Sequence, residues 1–347
     1  MEVYDKLIVD WVPYLMFFNQ PNFRSSVVNT DSRGFRFSGM MGEGAKLTKS
    51  KSVNVFSGGS AAFGIGSTSD KNTIPSLLSG KTDQLWMNYG GRAHVSTQEW
   101  ISFAYNRDMI NGINNIVIFS GINDLYLYFT SKYFNKRMGT FFSANRFFEN
   151  MRTTCDFKNM YVRPIINKLL HFEYGGEYDF KRLSNRDSIN LLLRKITISQ
   201  SGLEDIEENT IQNHHEEPYE VIHVLSRNIS NWKIFAEHYN AKLTYVLQPF
   251  SNWLCNRRVT RKEKAVFDIL DKTQLSYWKT LSSKINGLHE WYSSQLKSIC
   301  ENENIGFYDS NVILNNNDYE GDIFVDRVHL TNNGNQIISD YIEGIVL

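Results

Sequence analysis

The residues best placed by type and spacing to do chemistry are a serine, an asparagine and an Asp-x-x-His pair, far apart in the chain. Ser60 ends the run Val53-Asn54-Val55-Phe56-Ser57-Gly58-Gly59-Ser60, an apolar stretch that passes into glycine and serine. Asn123 lies in Ser120-Gly121-Ile122-Asn123-Asp124, directly behind the β-branched run Asn115-Ile116-Val117-Ile118-Phe119. Asp326-Arg327-Val328-His329 stands near the carboxyl end. A nucleophilic serine needs a base, a group that orients the base, and donors aimed at a developing oxyanion. His329, Asp326, and Asn123 with backbone amides fit those three roles. A tight Asp-x-x-His turn can set carboxylate against imidazole and leave the other ring nitrogen facing Ser60.

The opening turn admits other readings. Glycines after a strand can cradle a phosphate, although neither the Lys-Ser/Thr ending of a P-loop nor a full Gly-x-Gly-x-x-Gly pattern is present. A strand-turn without chemistry is also compatible with the stretch alone.

These residues can act together only if strand ends gather them. Val53–Gly58, Gln84–Tyr89, Asn115–Phe119, Ala241–Leu247 and Ile305–Asp309 read as strands, and helical patterns separate them. Thr73-Ile74-Pro75 predicts a helix start with Thr73 as cap, Ser96 and Glu99 a capping box, and Leu330-Thr331-Asn332 the start of a final helix. The alternation implies a parallel sheet with helices on both faces. Residues 1–45 read as an extension packing on the domain, with helical apolar spacing from Ile8 to Met16 interrupted by Pro13. The domain itself spans 46–347. An insertion at about 126–218 breaks the rhythm; it forms a cap or interaction surface, because structureless loops of that length are uncommon.

Bulk composition narrows the class. Lys plus Arg and Asp plus Glu both number 37, so charge does not argue for nucleic acid as a partner. Hydrophobic residues at 41% suffice for a large core. Three dispersed cysteines, Cys155, Cys255 and Cys300, suggest neither a disulfide framework nor a zinc site, and fit a reducing compartment. The amino end lacks the basic region of a secretory signal, and the apolar segment Trp11–Phe18 is too short to span a bilayer, so a cytoplasmic protein without an integral membrane segment is expected. His214-His215-Glu216 looks ligand-like, but neighbouring histidines on a strand face opposite ways, and no metal is expected there. Arg92, His94 and Gln248 follow strand ends and are candidate substrate contacts. The Arg257-Arg258 and Arg261-Lys262 cluster reads as solvated surface.

Three of these blocks together resemble the SGNH hydrolase superfamily, also called GDSL-type esterases, in its bacterial Gly-Gly-Ser variant. The first is Phe56-Ser57-Gly58-Gly59-Ser60, the third Ser120-Gly121-Ile122-Asn123-Asp124, and the last Asp326-Arg327-Val328-His329. The resemblance covers roughly residues 50–130 and 240–347. It implies a flavodoxin-like three-layer α/β/α fold with a parallel sheet, a triad of Ser60, Asp326 and His329, and no cofactor. It also implies an oxyanion hole built from the Ser60 amide, the Asn123 side chain and a glycine amide of the second block. In Asn88-Tyr89-Gly90-Gly91-Arg92-Ala93-His94 that amide belongs to Gly91 or to Ala93. Gly59 stands where the family's motif has aspartate. The activity implied is cleavage of an O-acyl ester, plausibly an O-acetyl group on a carbohydrate. An O-acyltransferase using the same residues in surface-glycan synthesis, and a non-catalytic binding protein on this fold, are the alternatives. The sequence does not give the oligomeric state.

Overall fold

The computed structural model describes residues 2–39, 52–148, 218–272, 283–315 and 319–346. The chain divides into two compact units, one of residues 1–130, 136–142 and 213–347, the other of 131–135 and 143–212. Residues 149–217 lie outside the described residues. So do the helical run near Ile189–Ile198, the Cys155 thiol and the pair His214-His215.

The first unit is built on five parallel strands: β3 (Val53–Gly58), β4 (Trp86–Gly90), β5 (Ile113–Ser120), β6 (Lys242–Leu247) and β7 (Gly306–Asp309). Their order across the sheet is β4-β3-β5-β6-β7. Counted from the first core strand this is 2-1-3-4-5, the flavodoxin-like order, with its topological switch point between β3 and β5. Every residue of β3 is buried, as a central parallel strand covered on both faces requires. In register, Phe56 pairs with Asn88 and Val117, and Gly58 with Gly90 and Phe119.

Two helical layers cover the sheet. On one face Phe56, Val117, Phe119 and Val246 pack with Ile74 and Leu78 of α3 (Ile74–Thr82). Ile338, Ile342 and Val346 join the same cluster from α10 (Asn332–Val346), where a spacing of four lines them up on one side of the helix. Removing each such side chain from water contributes about 1.5–3 kcal/mol. On the other face lie α4 (Ser96–Asn106) and α6 (Tyr219–Tyr239), where Phe103 packs in a tilted arrangement against Trp232 at 4.9 Å and meets Tyr89 edge-on at 5.5 Å. α6 stops at Asn240, which takes the left-handed cap conformation at φ 52°.

Local structure departs from the sequence reading at three places. Arg257, read as solvated surface, is buried and pairs with Glu263 at 2.5 Å. The amino end is not a helix interrupted at Pro13. A short α1 (Glu2–Lys6) precedes a two-stranded antiparallel ribbon of β1 (Val9–Asp10) and β2 (Phe18–Asn19). Ser96 does not cap α4: Val95 does, its N–H donating to Gln98 Oε1 at 3.2 Å, while the Ser96 hydroxyl donates to Asp124 at 2.6 Å. Glu99 is buried and accepts from Ser120 Oγ at 2.6 Å.

Candidate active site

The site gathers at the carboxyl ends of β3, β4 and β5, on either side of the switch point. Ser60 is the first residue of α2 (Ser60–Phe63), a single helical turn entered from β3 through Gly58 and Gly59. Such a turn is too short to hold itself, so its position depends on neighbours. A one-turn start also leaves the Ser60 N–H without an intrahelical acceptor, and it makes no hydrogen bond among the described residues.

His329 arrives from the other end of the chain. Phe324 bridges Leu330 in antiparallel fashion, and Val325 N–H donates to His329 O at 2.9 Å, closing a tight loop over 325–329. Inside it the Asp326 Oδ1 accepts the N–H groups of Val328 and His329 at 2.9 and 2.8 Å, so the carboxylate folds its own turn. Its Oδ2 lies 2.6 Å from His329 Nδ1, and His329 Nε2 lies 2.7 Å from Ser60 Oγ. Because an ionised carboxylate only accepts, the imidazole carries its proton on Nδ1 and offers the Nε2 lone pair to the Ser60 hydroxyl. Thr331 then caps α10, its hydroxyl accepting from Gly334 N–H at 3.1 Å. The loop is tied outward as well: Arg327 O accepts Ser251 N–H at 2.9 Å, and the Arg327 guanidinium pairs with Asp271 at 2.6 Å while lying 4.7 Å over the Phe267 ring.

Asn123 sits in the first turn of α5 (Ile122–Thr130), and its Nδ2 donates to His94 O at 2.7 Å. The same amide passes close over Gly59. A Cβ at that residue would lie 2.8 Å from Asn123 Nδ2 and 3.2 Å from His94 O, which accounts for glycine where the SGNH motif has aspartate. The Gly59 backbone, at φ −80° and ψ −149°, lies outside both the helical and the extended regions, so backbone freedom adds to the demand for space.

The loop after β4 separates the two candidate amides. Gly91 N–H donates to Gly58 O at 3.0 Å and is therefore occupied. Arg92 N–H donates to Asn19 Oδ1 at 3.1 Å and His94 N–H to Gly91 O at 3.2 Å. Ala93 N–H makes no hydrogen bond among the described residues. Its φ is +56°, the left-handed region in which glycine is at ease and alanine is strained. Ala93 thus keeps a glycine-like backbone.

Two of the three candidate substrate contacts are engaged elsewhere. His94 is fully buried, its ring on Gly91 and beside Phe17 and Phe18, with Nε2 donating to Phe17 O at 3.1 Å. Burial pushes its pKa down to about 4, so it is a neutral core histidine. The Arg92 guanidinium donates to Leu7 O. Gln248 is buried after β6, its N–H donating to Ser120 O at 3.1 Å.

Two residues to which the sequence reading gave no role enter the site's frame. Asp124, next to Asn123, accepts from both Ser96 N–H and Ser96 Oγ at 2.9 and 2.6 Å, joining α4 to α5; burial raises its pKa to about 6. Asn19, from the amino-terminal segment, grips the loop after β4. Among the described residues no group of three His, Cys, Asp or Glu side chains is arranged to hold a metal ion, and no helix is long and apolar enough to cross a membrane.

No family model matches the chain, and no curated protein matches it. Solved structures similar to it include the following three. A protein described as a lipolytic protein of the G-D-S-L family from Desulfitobacterium hafniense DCB-2 is 11% identical, with a TM-score of 0.41, covering 86% of this chain and 100% of its own. An acetyl xylan esterase is 11% identical at a TM-score of 0.39, over 86% of this chain and 100% of its own. A protein described as an acylhydrolase from Bacteroides fragilis NCTC 9343 is 14% identical at a TM-score of 0.39, over 87% of this chain and 89% of its own.

Proposed function

We propose that the protein is a serine esterase of SGNH type that cleaves an O-acyl ester through an acyl-enzyme on Ser60. The observation that carries the proposal is the unbroken chain from Asp326 through His329 to Ser60, at 2.6 and 2.7 Å, beside two unengaged amides. His329 Nε2 takes the Ser60 proton as Oγ attacks the ester carbonyl, and Asp326 stabilises the imidazolium. The tetrahedral oxyanion is held by the N–H groups of Ser60 and Ala93 and by Asn123 Nδ2, which has a second hydrogen beyond the one given to His94 O. His329 then protonates the leaving alkoxide. A water molecule, deprotonated by the same nitrogen, attacks the acyl-enzyme, and collapse returns the proton to Ser60 Oγ with release of the acid.

The acyl group in this proposal is acetyl and its carrier a carbohydrate, on the strength of the Gly-Gly-Ser block and the Leu247-Gln248-Pro249 strand ending. The free thiols of Cys255 and Cys300 support a reducing, cytoplasmic compartment. The test is turnover of a short-chain aryl acetate and of an acetylated glycan, together with fluorophosphonate labelling read by intact mass, for wild type and Ser60→Ala. Labelling and turnover by wild type alone support the proposal. Labelling without hydrolysis until an acceptor sugar is added reassigns the protein as an acyltransferase. A folded wild type that neither labels nor turns over overturns it.

A further inference from the structure

The amino-terminal segment is more than an appended element. Ala93 is held in a left-handed conformation that costs a non-glycine residue free energy, and such strain persists only where surrounding contacts over-determine it. The contacts that do so come from residues 7–19. Asn19, 1% exposed, donates from Nδ2 to Gly90 O at 3.1 Å and to Gly34 O at 3.2 Å, and its Oδ1 accepts Arg92 N–H at 3.1 Å. Leu7 O accepts from the Arg92 guanidinium, and Phe17 O from His94 Nε2 at 3.1 Å. Leu15 O accepts from Gln98 Nε2 at 2.6 Å, one turn into the helix that follows. Ala93 is thereby clamped on both sides, while its own N–H stays unengaged.

A second set of contacts from the same segment reaches the turn that starts at Ser60. The Arg36 guanidinium, wholly buried and paired with Asp70 at 2.8 Å, donates to Phe63 O and Gly64 O at 3.2 and 2.8 Å. Tyr4 OH lies 2.9 Å from Gly64 O and 2.7 Å from Ser67 O and shares its one proton between them. These carbonyls close the far end of α2, the end a single turn cannot satisfy for itself.

We propose that residues 4–36 brace the oxyanion hole, fixing the Ala93 amide through Asn19 and the Ser60 amide through Arg36 and Tyr4, so that Asn19 is a positioning residue for the reaction. The inference rests on the esterase reading for its kinetic consequences, but its structural half does not. Without Asn19, the end of β4 and its loop lose two hydrogen bonds, at Gly90 O and Arg92 N–H, and Ala93 relaxes out of the left-handed region. An oxyanion donor is then lost in the transition state while ground-state binding is untouched.

The experiment is a set of three variants, Asn19→Ala, Ala93→Gly and the double variant, with active sites counted by fluorophosphonate titration. Asn19→Ala is expected to lower kcat by about tenfold or more per titrated site, with KM unchanged. In the double variant, Ala93→Gly is expected to restore most of the kcat lost in Asn19→Ala, because glycine adopts φ +56° without the brace. A merely structural Asn19 would lower the melting temperature and the titrated fraction, leave kcat per site intact, and gain nothing from glycine at 93. That result overturns the proposal. Crystal structures of wild type and Asn19→Ala read the conformation of Ala93 directly. A left-handed Ala93 retained without Asn19 overturns the brace even if wild type shows no esterase activity, whereas inactivity of wild type alone overturns only the esterase reading.

Discussion

Gly59→Ala isolates one steric relationship at the centre of the site. The added methyl would stand 2.8 Å from Asn123 Nδ2 and 3.2 Å from His94 O, where ordinary contact begins at 3.4 Å. Relief requires the Asn123 amide to withdraw by about 0.6 Å, beyond the ~0.5 Å tolerance within which catalytic groups stay productive. The Gly59 backbone, at φ −80° and ψ −149°, adds some strain for alanine, and kcat per titrated site reads the displacement of Asn123 apart from any loss of stability. Losing one oxyanion donor costs about 100- to 1000-fold in kcat, or roughly 2.7–4 kcal/mol. A partial displacement places Gly59→Ala near the lower end of that range, with KM little changed. Gly59→Asp, which restores the residue of the SGNH motif, should fall at least as far. The assay is kcat and KM on a short-chain aryl ester, normalised to titrated active sites, with Asn123→Ala as the reference for complete loss of the donor. A Gly59→Ala enzyme within threefold of wild type refutes the steric argument.

Two buried ionisable groups give opposite pH signatures. Burial lowers the His94 pKa from 6.5 to about 4, so the unfolded chain binds the extra proton between those values, and His94 makes stability fall by about 3 kcal/mol as pH drops from 6.5 to 4; melts of His94→Gln across that window should lack this acid-side loss. Burial raises the Asp124 pKa from 3.8 to about 6, so here the folded state binds the extra proton and stability falls by about 3 kcal/mol as pH rises from 3.8 through 6. Asp124→Asn should abolish that decline, and a variant melting curve that keeps it assigns the decline elsewhere.

What could be read from sequence was whatever repeats a local pattern. The central strands announce themselves because β3, and β5 from Ile116 on, are buried and carry β-branched and aromatic runs there, and α10 because Ile338, Ile342 and Val346 recur every four residues. Ser60, Asn123 and the Asp326/His329 pair could be found because each ends or follows such an element. The brace could not. Asn19 acts on Arg92 and Arg36 on Gly64, 73 and 28 positions away, and neither belongs to a motif. Ser96 misleads for a related reason: its hydroxyl, a good local cap, is recruited by Asp124 28 residues later. His94 has the right type for a substrate contact, but the cavity over Gly91 that receives its ring is a tertiary property.

The two departures from the SGNH motif, Gly59 and Ala93, are coupled through one hydrogen bond. Ala93 fixes the direction of the next carbonyl, His94 O, which accepts from Asn123 Nδ2 at 2.7 Å. Carbonyl and amide together occupy the space that a side chain at 59 would need. An aspartate at 59 is therefore excluded by the position of a loop that an alanine holds in strained form. Glycine at 93 is at ease at φ +56° and also outside it, so the loop can give way where aspartate presses on it, and Ala93→Gly should recover part of the activity lost in Gly59→Asp. Contacting residues typically couple by about 0.5–3 kcal/mol, which here means a double variant faster by about two- to a hundredfold than the product of the single effects. A double-mutant cycle on kcat/KM measures this directly. Strict additivity would show that the two positions departed from the motif independently, and that the His94 carbonyl does not transmit the conformation of Ala93 to Gly59.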